Sequence, residues 1–172
     1  MEVTKPNPAF NGFTLIEMLV VIVLIGLLVT TGSLVFIASL KASSKSQVMT
    51  AIKQEGNYAL GLMERYIRNA RKINVCQPAG NNNLLTLTNP DQEITTFSFA
   101  QDGSLWRLAS NSAYLTNTNV SVDTDKPYYF GCTFGPPARV EIVFTLKSSG
   151  ASSRPEEQAF LDFKTTVPSR NY

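Results

Sequence analysis

The chain has 172 residues, a net charge of +2 and no histidine. So balanced a charge creates no strong field toward nucleic acid or acidic membranes, and the commonest general base and metal ligand is missing. Setting aside an apolar N-terminal stretch leaves roughly 130 residues, enough for one compact domain and not for two; rich in Thr, Asn, Ser, Phe and Tyr, they read as an extracytoplasmic domain.

Met1–Gly12 is polar, with Pro6, Pro8, Lys5 and Glu2. From Phe13 to Ala38 the only charged residue is Glu17, and the apolar run continues to about Leu40. As a helix, Phe13 to Ala38 spans about 39 Å, more than the roughly 30 Å hydrocarbon core of a bilayer. Gly26 and Gly32 are tolerated in such a span. An ionised side chain in hydrocarbon costs at least about 2.5–3.5 kcal/mol, so Glu17 marks a functional position that needs a partner. Two ordinary readings compete: a secretory signal peptide, for which the apolar run is too long, and a plain anchor with Glu17 at the interface. Lys41, Lys45 and Lys53 on the C-terminal side, against Lys5 on the other, would by charge alone keep the C-terminal side inside.

From Lys41 to Ile73 there is no Pro, and apolar residues recur at Val48, Ile52, Ala59, Leu62, Met63, Tyr66, Ile67, Ala70 and Ile73. This spacing predicts a helix with one buried face, interrupted at Glu55-Gly56, where Tyr58 partly fills the gap. Asn74 to Gly80, with Cys76, Pro78 and Gly80, ends it. Strands are then expected at Leu84–Thr88, Ile94–Ala100, Leu105–Leu108, Tyr114–Thr116, Val120–Val122, Tyr128–Phe130, Val140–Leu146 and Phe160–Val167. Asn89-Pro90-Asp91 and Asp102-Gly103 mark turns, and Ser148–Pro155 a hairpin loop. Helix first and antiparallel strands after give an α+β fold, a long N-terminal helix packed on a C-terminal sheet.

Cys76 and Cys132 are either a disulfide or two buried thiols. A bond would close a loop of about 57 residues and contribute roughly 4 kcal/mol on the chain-entropy model, tying the helix end to the sheet. Arg65, Arg68, Arg71 and Lys72 form a basic stretch on the helix that fits phosphate contacts to DNA or, more simply, a solvated face. Asp123-Thr124-Asp125 fits a calcium loop or a turn before Lys126-Pro127. Trp106, Tyr128, Tyr129 and Phe130 fit a ligand groove or sheet core. There is no Gly-rich phosphate loop, nucleophile elbow, paired-carboxylate motif or metal-ligand set, so neither an enzyme nor a cofactor is expected.

Gly12, followed by Phe13-Thr14-Leu15-Ile16-Glu17 and the apolar run, resembles the type IV pilin-like family: pilins, type II secretion pseudopilins and competence pseudopilins. The resemblance implies a leader of residues 1–12, cut between Gly12 and Phe13 by a prepilin peptidase that also N-methylates Phe13. It implies a single-pass anchor of residues 13–40 in the cytoplasmic membrane, an amphipathic continuation over 41–75 and an extracytoplasmic β-sheet head over 76–172. Its partners would be other pilin or pseudopilin subunits and an assembly platform, in a cell-surface or periplasmic filament serving a pilus, secretion or competence system. In such a filament the Glu17 carboxylate pairs with a neighbour's Phe13 amine. Major pilins carry a Pro about two-thirds along the anchor; here Thr30-Thr31-Gly32-Ser33 stands there, with Gly32 and Ser33 placed to loosen the helix. With a weakly basic leader, this favours a minor pilin or pseudopilin, and the closing Thr165–Tyr172 is similar to J-type minor pilins. The alternative is a membrane-anchored module that binds DNA or glycans.

Overall fold

The structure, a computed structural model, describes residues 12–77, 83–135, 137–149 and 158–170. The expected breakers Pro78 and Gly80, most of the leader, most of the loop after Ser148 and the last two residues lie outside that range. The chain divides into two units, the first ending at Lys41 and the second starting at Ala42. A single helix, α1 (Leu15–Asn69), contributes to both.

In the first unit α1 runs unbroken through Thr30–Ser33, so the expected loosening at Gly32 and Ser33 is absent. The hydroxyls there bond within the helix: Thr30 and Thr31 donate to the Leu27 carbonyl at 2.9 Å, and Ser33 donates to Val29 at 2.8 Å. These three hydroxyls are thus satisfied by their own helix, as a span in hydrocarbon requires.

In the second unit α1 buries Ile52, Gly56, Ala59, Met63 and Ile67, a stripe at spacings of three and four. The helix ends at Asn69, four residues before the expected Ile73. The Arg71 amide donates to the Thr88 carbonyl at 2.8 Å, drawing the chain into a strand, β1 (Lys72–Gln77), that sequence periodicity had merged with the helix. Ile73 reaches the core region from either structure, so apolar spacing could not separate them; the β-branched Ile73 and Val75 favour the strand.

The remaining strands are β2 (Leu84–Thr88), β3 (Ile94–Asp102), β4 (Leu105–Ser110), β5 (Ala113–Tyr114), β6 (Val120–Val122), β7 (Tyr129–Thr133), β8 (Arg139–Ser148) and β9 (Phe160–Pro168). Strands β1 to β5 form an antiparallel sheet in chain order. In the second sheet β9 pairs along one edge of β8, from Arg139↔Pro168 to Lys147↔Phe160, while β7 and β6 share the other edge. The alternation expected in Val140–Leu146 holds: Val140, Ile142, Phe144 and Leu146 are all fully buried. Two seams join the sheets. Ser121 Oγ accepts from the Trp106 amide at 3.1 Å and donates to its carbonyl at 3.2 Å, linking β4 to β6. A Cys76–Cys132 disulfide links β1 to β7.

The core lies between the helix stripe and the two sheets. Phe99 is its aromatic hub, with ring centroids 5.0 Å from Phe130, 5.2 Å from Tyr128 and 6.3 Å from Phe144. The interruption in the helical pattern at Glu55-Gly56 is filled from outside the helix. Tyr58 is 59% exposed and fills nothing. Instead the Phe163 ring, stacked on Phe144 at 5.1 Å, lies against the Gly56 backbone, where a Cβ would overlap it. Glu55 accepts from the Asn117 amide and side chain at 3.2 and 2.7 Å, and Glu64 accepts from Thr165 Oγ1 at 3.0 Å, so polar contacts reinforce the helix–sheet junction.

Helix propensity alone would make Gly56→Ala stabilising by up to about 1 kcal/mol. The overlap with Phe163 reverses that sign, and the expected outcome is a loss of about 1–3 kcal/mol. Thermal melts followed by near-ultraviolet circular dichroism check this, and Phe163→Leu in the Gly56→Ala background is expected to recover part of the loss.

Candidate assembly and processing site

The N-terminal site is built on a helix cap. Gly12, Phe13 and Thr14 precede α1 in non-helical backbone. The Glu17 amide donates to Thr14 Oγ1 at 3.3 Å and to the Thr14 carbonyl at 3.1 Å, making Thr14 the N-cap and Glu17 the third helical residue. Thr14-x-x-Glu17 is thus the sequence of a capping box, and the structure shows its Thr half. The Thr-x-x-Glu spacing ahead of an apolar run carries this signal in the sequence. A carboxylate in the first turn also meets the positive end of the helix dipole. Glu17 therefore has a local role as well as any role between subunits.

The Gly12–Phe13 bond immediately precedes this cap. Phe13 is 76% exposed and no heavy atom beyond its chain neighbours lies within 4 Å of a Cβ built on Gly12, so nothing among the described residues shields the bond or requires Gly there for space. A requirement for Gly12 would come from whatever reads it. Beyond the cap, every residue from Leu15 to Leu40 is exposed. This part of α1 is long and apolar enough to cross a membrane. A continuous apolar surface of that size calls for lipid or other helices to cover it.

A family model described as the prokaryotic N-terminal methylation motif matches residues 8–33. The chain carries the N-terminal signature of type IV prepilins. No curated protein and no solved structure gives a significant match. The motif covers only the start of the chain; one long helix followed by antiparallel sheets is a pilin-like α+β architecture.

Elsewhere in the chain the structure separates constellations that the sequence placed together. Arg65 and Arg68 lie on α1, Arg71 in the bend after it and Lys72 at the start of β1, so the basic stretch is not one helical face. Arg68 pairs with Glu64 at 3.7 Å, and Arg65 lines a cleft beside Asp91 and Glu93, which weakens a uniform phosphate-binding field. The Asp123 carboxylate is taken by Lys147 at 2.7 Å, and the Lys126 amide donates to the Asp123 carbonyl, which makes Asp123-Thr124-Asp125 a turn rather than a calcium loop. Phe130 is fully buried, and the partly buried Trp106 and Tyr128, 6.1 Å apart, pack against the core, whereas Tyr129 lies outside it and bonds to Glu141. Cys76 and Cys132 are bonded and lie in strands, so the bond ties sheet to sheet rather than helix end to sheet.

The outer face of the second sheet carries a charge network that no local pattern announced. Lys164 pairs with Glu141 at 2.8 Å, and Tyr129 Oη donates to the same carboxyl at 3.3 Å. The Lys164 hydrogen bond holds the Glu141 carboxyl below its ordinary range and raises the Lys164 ammonium above its own. Asp162 is lowered by the Thr145 hydroxyl and then by Lys126, which sits 3.0 Å away.

Carboxyls held low in the folded state stabilise it above their unfolded-state range, and the benefit disappears as pH falls through their depressed values. The melting temperature is therefore expected to drop as the pH is lowered from neutrality through the carboxylate range, and Lys164→Met is expected to flatten part of that drop. The raised Lys164 value acts at the other end: its contribution is lost only as pH climbs above the ordinary lysine range. Melts across the pH scale test both limbs. Separately, Cys76→Ser/Cys132→Ser should cost about 2–5 kcal/mol in denaturant titrations.

Proposed function

We propose that the chain is a non-enzymatic structural subunit of a type IV pilus-like filament, in the minor-pilin or pseudopilin class. The observation that carries this reading is the uncovered apolar helix of residues 15–40, with one carboxylate on its first turn beside an exposed Gly12–Phe13 bond. A prepilin peptidase on the cytoplasmic side cuts that bond, releases residues 1–12 and methylates the Phe13 amine. The new N-terminus lies just ahead of the Thr14 cap. The subunit then waits in the cytoplasmic membrane as a single-pass protein with its head outside.

In the filament, the apolar helices cover one another. The Glu17 carboxylate of one copy pairs with the Phe13 amine of the next, a buried pair that sets register more than it adds stability. Leaving either charge unpaired costs about 3–5 kcal/mol, equivalent to roughly a hundred- to a few-thousandfold in incorporation. The reading depends on the pairing rather than on the cap, and Glu17→Gln separates the two. Gln at the third helical position retains a capping box but has no charge.

The expected outcome is that Glu17→Gln is inserted and processed normally yet fails to enter filaments sheared from cells, as measured by quantitative immunoblot. Normal incorporation of that variant would defeat the pairing. Mass spectrometry of the mature protein should find N-methylated Phe13 as its first residue, and Gly12→Ala should leave the leader attached.

A further inference from the structure

An open cleft of about 510 Å³ lies on the head between α1 and the segment that follows β4. Its walls include Gln54, Glu55, Tyr58, Tyr114 and Asn117, and Arg107 forms part of its floor. None of these residues belongs to the N-terminal assembly site.

The cleft is rigid before any ligand arrives. Arg107 is a charged residue with only 9% of its surface exposed, and all three of its guanidinium nitrogens are engaged. Its Nε donates to the Thr116 carbonyl at 2.9 Å, Nη2 donates to the same oxygen, and Nη1 pairs with Asp102 at 2.6 Å. Its guanidinium also lies 4.1 Å from the centre of the Tyr114 ring, fixing that ring from one side. On the opposite wall, Glu55 receives both the Asn117 amide and its side chain, and Asn117 Oδ1 accepts from the Asn119 amide at 2.8 Å. Helix and loop are thus locked together, and binding here would need little further ordering.

The groups left over define the ligand. Arg107 is neutralised by Asp102, and Asn117 has used both ends of its amide. Tyr58 and Tyr114 remain 59% and 42% exposed, two rigid aromatic rings bordering one cleft. An aromatic face is electron-rich and attracts the slightly positive C–H bonds of an apolar surface laid against it. The Gln54 amide offers donors and an acceptor, the two tyrosine hydroxyls offer both, and Glu55 keeps spare lone pairs for a donating hydroxyl. A ligand complementary to this set has flat C–H faces and many hydroxyls that both donate and accept, and the Glu55 carboxylate, bonded to the neutral donors of Asn117, disfavours an anionic one. We propose that the cleft binds a neutral carbohydrate chain, with sugar rings stacked on Tyr58 and Tyr114 and hydroxyls bonded to Gln54 and Glu55. The assignment stands whether or not the chain assembles into filaments.

The test uses the full chain in zwitterionic lipid nanodiscs, titrated with maltohexaose, cellohexaose and chitohexaose and followed by saturation-transfer NMR and calorimetry. Saturable binding of at least one of these hexasaccharides is expected, with Tyr58→Ala and Tyr114→Ala each weakening it at least tenfold and Gln54→Ala severalfold. Tyr114 covers Arg107, so Tyr58→Ala, on the exposed side of the helix, is the decisive variant if Tyr114→Ala unfolds. Phe134→Ala, an exposed aromatic outside the cleft, should leave binding unchanged. The proposal is overturned if none of the three binds at millimolar concentration, if binding survives Tyr58→Ala, or if choline or a polyuronic hexasaccharide binds in preference to the neutral ones.

Discussion

Covering the apolar surface of residues 15–40 is the constraint on which the functional reading rests. Among the described residues nothing in the first unit buries these side chains, and Thr30, Thr31 and Ser33 return their hydrogen bonds to the same helix. Such a segment is at home only in lipid or among like helices. Against that background a single carboxylate acquires meaning from its surroundings. Glu17 on a soluble helix would be an ordinary first-turn acid; on this one it is the only charge available to distinguish one axial position from another.

The second unit solves a different problem with the other part of the same helix. Here one stripe must be buried, and two sheets converge on it rather than one. Phe163 from the second sheet crosses the helix at Gly56, where the lack of a side chain admits an aromatic ring against the backbone. Met63 and Ile67 continue the same stripe, and Tyr66 meets Phe97 of the first sheet edge-on at 5.8 Å. The two sheets are then fastened at separate seams, covalently between β1 and β7 and by the Ser121 hydroxyl between β4 and β6. Charges on the outside of β8 and β9 are placed cross-strand, where pairing is reached only after the register of those strands is set.

Arg107 is a buried charge among the described residues of the head. It is held by a carbonyl, a carboxylate and an aromatic face, which come from the loop at Thr116, the end of β3 and β5. Burying a guanidinium is costly unless it is paired and fully bonded. The arrangement fixes Tyr114 and the path of the chain at Thr116, the geometry that gives the cleft beside α1 its form. A region organised to that degree around an irregular loop is a sounder place to look for recognition than the basic residues near the helix end, which the fold disperses over three structural elements.

The sequence by itself determined the elements whose signal is periodic and local. The apolar run with its lone acid, the amphipathic stripe from Ile52 to Ile67 and the alternation from Val140 to Leu146 are all legible because a helix repeats every 3.6 residues and a strand every two. The Gly12-to-Glu17 motif was legible because its residues are contiguous. Tertiary structure alone decided where the helix yields to β1, since Ile73 fits a buried position in either form and the Thr88 carbonyl makes the choice. It also decided that Cys76 reaches Cys132, that Phe163 rather than Tyr58 occupies the gap at Gly56, and that Tyr58 and Tyr114 border one cleft. Each of these joins residues tens of positions apart, and such contacts exist only once strand register and helix–sheet packing have brought distant backbone together.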